Sequence, residues 1–321
     1  MSSFVRRISR CLAALSLGVT LALTAGLASA QERYASIVVD ADTMTVLHAR
    51  NAEAPRFPAS LTKVMTLYLL FDALRSGQLQ ITDQITMSAH AASMQPSKLG
   101  IRAGGTISVQ DAIEALIAKS ANDVAVAIAE RLGGTESRFA ALMTVKARSL
   151  GMISTRFTNA SGLPDREQVT TALDMARLAD SIMIEHSHFY NYFSIGQMDW
   201  EGQRFPNHNR LLGRVQGVDG IKTGYTRASG FNLMAAARRD GRRVIAVVLG
   251  GSTARERDDH MAELLEAAFV AIDSRRSQLF ASIDSGWATA QLAVMQPLPV
   301  PGSEDSTEEP WLGYEEGSVA Q

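Results

Sequence analysis

Pro58-Ala59-Ser60-Leu61-Thr62-Lys63-Val64-Met65-Thr66 is the stretch on which the reading of this 321-residue chain turns. Lys63 is the only charge between Arg56 and Asp72. Around it Leu61, Val64, Met65, Leu67, Tyr68, Leu69, Leu70 and Phe71 cover most of a helix's circumference. A helix that is apolar nearly all round lies inside a protein, so the pattern predicts a poorly solvated lysine whose ammonium form is disfavoured by burial. Ser60 stands three residues earlier, one turn back on the same face. Pro58 discourages an earlier helical start and puts Ser60 at or near the helix N-terminus, where free N–H groups favour developing negative charge. A hydroxyl beside a buried lysine suits a serine acyl-transfer enzyme that has no histidine base. Ser-x-x-Lys also arises by chance, and a serine that opens a helix is commonly only an N-cap. The rest of the chain has to decide.

Working outward, Tyr34 to Asp40 and Thr45 to Ala49 read as two strands of a hairpin around Ala41-Asp42. The buried helix runs to about Arg75, and residues 77 to 106 are irregular. A helical period returns at Val109, breaks around Lys119-Ser120-Ala121-Asn122, resumes with Val124 and stops at Gly133-Gly134. Phe139 to Ser149 and Asp174 to Ile184 are further helices. Phe231 to Arg238 and Arg243 to Leu249 are apolar strands joined through Asp240-Gly241, a two-residue hairpin signal. Gly217 to Thr223 is their expected neighbour in the sheet. A last helix spans about Arg255 to Asp273, with Met261, Leu264, Leu265, Ala268, Phe269 and Ile272 as its buried stripe. Strands at both ends and helices between them predict an α+β fold: an antiparallel sheet flanked by helices and interrupted by a helical insert. The cleft between sheet and insert is the natural site.

Residues 1–30 stand apart. Arg6, Arg7 and Arg10 precede an apolar run, and Ala28-Ser29-Ala30 offers a cleavage site before Gln31, the pattern of a secretory signal peptide. An uncleaved anchor is the alternative. The sole cysteine, Cys11, falls in this segment, so the exported protein would hold no disulfide and do no thiol chemistry. Loss of the three arginines takes the formal charge from −2 to −5. No basic stripe with interleaved aromatics points to nucleic acid. Residues 31–275 make the expected catalytic domain, and 276–321 an acidic, proline-containing tail expected to be disordered and unable to serve as a basic amphipathic anchor. His186-Ser187-His188 is the only close histidine pair. With no cysteine or organised carboxylates nearby these read as loop residues, and neither a metal nor a cofactor is expected.

Two other stretches can supply partners for Ser60 and Lys63. Ser120-Ala121-Asn122 lies at the helix break, where a hydroxyl and an amide can point into a cleft; taken alone it is equally a cap and a turn. Lys222-Thr223-Gly224 ends the expected strand; the glycine permits close backbone approach and the lysine and hydroxyl can bind a carboxylate. Alone it is equally a solvated strand end.

In the order Ser-x-x-Lys, Ser-x-Asn, Lys-Thr-Gly, these motifs resemble the signature of penicillin-binding proteins and serine β-lactamases. Asn159-Ala160-Ser161-Gly162-Leu163-Pro164, Asp219-Gly220-Ile221-Lys222-Thr223-Gly224-Tyr225-Thr226 and Ala228-Ser229-Gly230-Phe231-Asn232-Leu233 extend the likeness to the low-molecular-weight D-alanyl-D-alanine carboxypeptidases, over roughly residues 33 to 272. The resemblance implies a β-lactamase/transpeptidase-like fold and an exported, periplasmic enzyme that trims peptidoglycan stem peptides and is acylated by β-lactam antibiotics. It implies Ser60 as nucleophile, Lys63 as proton acceptor and Ser120 as proton relay to the leaving D-alanine. Asn122 would position the substrate, backbone N–H groups of Ser60 and Tyr225 would hold the oxyanion, and Lys222, Thr223, Gly224 and Arg257 would receive the terminal carboxylate region, with Arg255 the second choice to Arg257. Position 225 is Tyr where many relatives have His. The loop from Gly162 to Thr171 lacks Glu-x-x-Leu-Asn, so Glu167 is no evident deacylating base and β-lactamase action is disfavoured. D,D-endopeptidase action on cross-links and a non-catalytic wall-binding role are the alternatives carried forward. No stable membrane anchor is expected.

Overall fold

The computed structural model describes residues 33–274; the expected signal segment and the acidic tail lie outside them. Ala35–Asp40 (β1) and Thr45–Arg50 (β2) form the first hairpin. Helix α1 (Thr62–Arg75) follows, then the short strands β3 (Gln84–Thr86) and β4 (Thr106–Ser108), helix α2 (Val109–Glu114), α3 (Asn122–Gly133), α4 (Glu136–Ser149) and α5 (Ala172–Glu185). A small hairpin of β5 (Gln197–Trp200) and β6 (Gln203–Pro206) leads to β7 (Val218–Thr226), β8 (Gly230–Arg239), β9 (Arg242–Gly251) and the last helix α6 (Ala254–Ser274). The main sheet is antiparallel in the order β2-β1-β9-β8-β7, so its two ends come from the two ends of the described chain and the helices are inserted between them. The α+β layout expected from the sequence is the one observed.

Strand periodicity sorts the sheet into two buried faces. Ala35, Ile37 and Val39 of β1 join Ile245, Val247 and Leu249 of β9 in the core shared with α1 and α5. Tyr34 and Val38 join Val244, Ala246 and Val248 against Met261, Leu264 and Leu265 of α6. On α1, Val64, Met65, Leu67, Tyr68, Leu70 and Phe71 are all fully buried, each contributing roughly 1.5–3 kcal/mol of transfer free energy. That wrapping puts Lys63, on the same helix, at 0 % exposure.

Three features depart from the sequence reading. β7 does not stop at Thr223: Gly224, Tyr225 and Thr226 continue to pair with Asn232, Phe231 and Gly230, so Lys222-Thr223-Gly224 lies within a strand rather than at its end. The short strands β3 to β6 were not anticipated, because three- and four-residue pairings in polar sequence carry too little alternation to be seen. His186 lies in the turn after α5, as read, but is buried in the core there, which the sequence reading did not include. The aromatic stretch after α5 folds back beneath α1, with Phe71 stacked on Phe189 at 4.9 Å, and this traps the His186 ring edge-on against Tyr68 at 4.4 Å.

Candidate active site

Ser60 occupies a single turn of 3-10 helix, Ala59–Leu61, that leads directly into α1. The turn is held under constraint. Ala59 has φ +49°, a left-handed conformation that costs an L-residue roughly 1–3 kcal/mol and persists only where surroundings enforce it. Those surroundings are visible. Asn232 on β8 donates to the carbonyls of Phe57 (3.0 Å) and Pro58 (3.1 Å) while its own oxygen accepts from Gly250 N–H (2.9 Å). Gly162 presses so closely that a Cβ there would stand 1.9 Å from the Ala59 carbonyl oxygen. On the other side a Cβ on Gly224 would stand 3.0 Å from the Ser60 nitrogen. Strand β7 therefore runs directly beside the Ser60 N–H.

Lys63 reaches three oxygens: Ser161 O at 2.6 Å, Asn122 Oδ1 at 2.7 Å and Ser60 Oγ at 3.2 Å. Burial, joined by the charge of Lys222, drives its pKa well below the ordinary lysine value, and Asp123 opposes them. A neutral amine has two hydrogens and one lone pair. Two of the three partners, the amide oxygen and the peptide carbonyl, can only accept, and they take the two hydrogens at the two shorter distances. In the neutral form that this downward shift favours, the remaining lone pair would face the one partner that owns a proton, the Ser60 hydroxyl. Thr66 fixes this arrangement from α1 by donating to Ala160 O at 2.7 Å, which holds the Ser161 carbonyl in reach.

Ser120 follows a π-helical segment, Ala115–Lys119, and has φ +60° itself. Widened turns of this kind frequently mark functional positions. Its hydroxyl is buried, has no hydrogen-bond partner among the described residues and borders the cleft. Asn122 sits one step into α3, with its oxygen on Lys63 and its Nδ2 donating to Gln95 O at 2.8 Å. Both ends of its amide are thus engaged, so its visible task is to orient Lys63. Asp123, fully buried, accepts from the N–H groups of Leu99 (3.1 Å) and Gly100 (2.8 Å), pinning the loop that carries Pro96 and Ser97 over the cleft.

The opposite wall is β7. Lys222 is 1 % exposed and donates to Thr223 O at 3.0 Å; burial first, and Arg257 second, bring its pKa down to about 7. Thr223, Gly224 and Tyr225 line the cleft, and Tyr225 stacks on Phe231 with ring centroids 4.2 Å apart. Arg257 is buried and also borders the cleft, its guanidinium bonded to Asn232 O (2.7 Å) and Asp258 (2.9 Å). Arg255 has a side chain 91 % exposed and pairs with Asp259, so the geometry favours Arg257. Glu167 does not line the cleft; its side chain is 63 % exposed and pairs with Arg156 at 3.2 Å. The cleft between these walls has a volume of ≈ 630 Å³. Among the described residues no group of three or more His, Cys, Asp or Glu could hold a metal ion.

The structure brings Ser60, Ser120, Asn122, Thr223, Gly224, Tyr225 and Arg257 to one cleft, with Lys63 and Lys222 buried behind its walls. Sequence reasoning assigned no role to Ser161, whose contribution is a carbonyl that any residue type could supply. It likewise gave none to Asn232, or to His208 and Arg210 on the cleft wall. A buried Asn inside an apolar strand was the one available signal.

The D-alanyl-D-alanine carboxypeptidase family matches residues 25–253. The chain belongs to this family. Members similar to it include DacF of Bacillus subtilis, 35 % identical over 244 residues (75 % of this chain, 63 % of DacF), and DacC of Escherichia coli, 35 % identical over 240 residues (73 % and 60 %). The chain thus spans about three-fifths of the length of these family members. Among solved structures, the carboxypeptidase DacD of Francisella tularensis superposes with TM-score 0.72 at 32 % identity, covering 73 % of this chain and 70 % of the other. Penicillin-binding protein D2 of Listeria monocytogenes in its cefotaxime-bound form gives TM-score 0.65 at 31 % identity, covering 73 % and 96 %. Among the described residues no helix is long and apolar enough to cross a membrane.

Proposed function

We propose that the protein is a serine D-alanyl-D-alanine carboxypeptidase acting on peptidoglycan stem peptides. The observation that carries this is the fully buried Lys63 Nζ standing 3.2 Å from Ser60 Oγ at the wall of the cleft. Ser60 Oγ attacks the carbonyl between the two terminal D-alanines as its proton passes to Lys63. The N–H of Ser60 and that of Tyr225, on the strand packed against it, stabilise the oxyanion. Thr223 and Arg257 receive the terminal carboxylate, with the Lys222 charge behind them and Gly224 keeping the strand close. The C–N bond breaks as Ser120 hands a proton to the departing amine and takes its replacement from Lys63, which releases D-alanine and returns the lysine to its neutral form. Water then attacks the acyl-enzyme, aided by the same neutral lysine, and frees the shortened stem peptide.

β-Lactam antibiotics acylate the same Ser60 in this scheme, as the family and the drug-bound Listeria relative suggest. With Glu167 outside the cleft, no carboxylate among the described residues lines it to speed their release. We place the site in a periplasmic enzyme, exported through residues 1–30, with residues 31–275 as the catalytic domain. Mature protein that stays with membranes after a high-salt wash would contradict that location. Incubation with a stem pentapeptide and with a cross-linked dimer tests the activity. Free D-alanine from the pentapeptide is the expected product; release of monomers from the dimer at a greater rate would make the protein a D,D-endopeptidase. Release of neither would leave the wall-binding alternative.

A further inference from the structure

One wall of the cleft carries a cation that the scheme above does not use. Arg210 is exposed and borders the cleft together with His208. The segment between β6 and β7 presents both by alternation. Asn209 turns inward and is buried; its Nδ2 donates to Gly220 O on β7 at 3.0 Å, and its oxygen accepts from Leu211 N–H at 3.2 Å. Asn207 ties down the same segment by donating to Ile195 O at 2.8 Å. With Asn209 and Leu211 held inside, His208 and Arg210 are left facing the cleft.

Arg210 differs from its neighbours in its pairing. Arg204 pairs with Asp199, Arg214 with Asp259 and Arg257 with Asp258, whereas Arg210 has no hydrogen-bond or ion-pair partner among the described residues. None of the described residues that line the cleft is a carboxylate. The charge of Arg210 reaches Arg257: burial lowers the Arg257 pKa, Asp258 opposes this and Arg210 adds to the lowering. Burial first, then the charges of Lys222, Lys119, Lys63 and Arg210, bring His208 down to about 4. At neutral pH its imidazole is therefore an uncharged donor and acceptor. Arg210 thus stands beside the place where the scheme puts the terminal carboxylate, in a cleft of ≈ 630 Å³.

We propose that Arg210 is a specificity-determining residue on the leaving side, binding a second carboxylate on the residue that departs. The ligand class is a stem peptide whose last residue is an acidic D-amino acid. Its main-chain carboxylate goes to Thr223 and Arg257. Its side-chain carboxylate goes to the Arg210 guanidinium, whose planar fork suits such an anion. His208 can add one neutral hydrogen bond. The reaction is otherwise the same: Ser60 takes the acyl group, the acidic D-amino acid departs with a proton on its amine, and water frees the shortened peptide. This rests on the function proposed above.

The test gives the full-length protein three peptides, ending in D-alanyl-D-glutamate, D-alanyl-D-glutamine and D-alanyl-D-alanine, and follows the released residue. D-Glutamine matches D-glutamate in size and lacks only its charge. kcat/KM should be about tenfold higher for the D-glutamate peptide than for the D-glutamine one. In Arg210→Gln that ratio should fall to about one, and in Arg210→Glu below one, the D-glutamine peptide serving as each protein's own reference. Labelling of Ser60 by a penicillin shows that each variant is folded. Equal rates in the unaltered protein, cleavage of the D-alanine peptide alone, or an undiminished ratio in either folded variant would overturn the subsite. Release of nothing from all three peptides would instead overturn the carboxypeptidase reading beneath it.

Discussion

Two buried polar clusters lie on opposite faces of the main sheet, and only one of them is chemically unfinished. On the α6 face, Tyr34 bonds to His260 Nε2 (2.6 Å) and to Ser36 Oγ (2.9 Å), and Ser36 bonds to His48 Nε2 (2.9 Å). Burial lowers His48 and His260 to about 4 each, aided at His48 by His260 and Arg50 and at His260 by Arg50. On the helical face, burial shifts Lys63 and Lys222 downward in the same way. A perturbed titration is therefore common to both and marks neither as a site. What separates them is access. The histidine chain is closed under α6, whereas the Lys63 cluster ends in two hydroxyls, Ser60 and Ser120, on the wall of an open cleft.

The sharpest way to break this contrast is to remove the lone pair without removing the side chain. Lys63→Arg keeps a cation that does not give up its proton in proteins. Acylation of Ser60 by a labelled penicillin should fall by about 10²–10⁴-fold, the usual worth of a general base, with the far-UV spectrum intact. A variant acylating at near the original rate would show that a neutral amine is unnecessary.

A smaller loss is expected from Asn122→Asp. A carboxylate 2.7 Å from Lys63 Nζ favours the ammonium, so the pH at which acylation switches on should move upward and the rate at neutral pH should drop about 10–100-fold. Raising the pH should restore it; a uniform loss at every pH would point to misfolding instead.

The unaltered protein should show a bell-shaped kcat/KM profile. In the proposed scheme Lys63 works deprotonated, so its lowered pKa would give the rising limb. In the proposed scheme the charge of protonated Lys222 draws the carboxylate from behind the cleft wall, so binding should weaken above about 7. Lys222→Arg should remove the falling limb, and a limb that persists would detach Lys222 from carboxylate binding.

For the closed cluster the expected effect is on stability alone. Both histidines stay neutral in the fold down to about 4 and ionise in the unfolded chain near 6.5. Stability is thus fully present above that unfolded value and is lost as pH falls towards 4, by up to about 3 kcal/mol for each histidine. Urea unfolding at pH 7 and pH 4.5 measures this. His260→Phe should flatten the dependence and leave penicillin acylation at pH 7 within about twofold.

The contrast also explains what the sequence could reveal. The candidate cluster around Ser60 and Lys63 was legible because its members are side chains in short motifs: a lone lysine in an apolar helix, a serine one turn back, a hydroxyl and an amide at a helix break. Strong hairpin and helix patterns likewise exposed the sheet and its helical insert. The tethers that make the cluster work were not legible. The Ser161 carbonyl and the close approach of Gly162 to Ala59 depend on backbone placement, which leaves no side-chain signature. The Asn232 clasp joins residues 174 apart, a pairing that no local period announces. The burial of His186 was not legible for the same reason: only the return of the aromatic segment beneath α1 buries it.

The central claim is that Lys63 is a neutral amine in the resting protein. Titration of its side-chain ¹³Cε and ¹⁵Nζ resonances, assigned by loss of the signal in Lys63→Arg, tests it without any substrate. The account predicts a midpoint well below the ordinary lysine value of about 10.4. A midpoint at or above that value, with Ser60 still acylated at neutral pH, would contradict it.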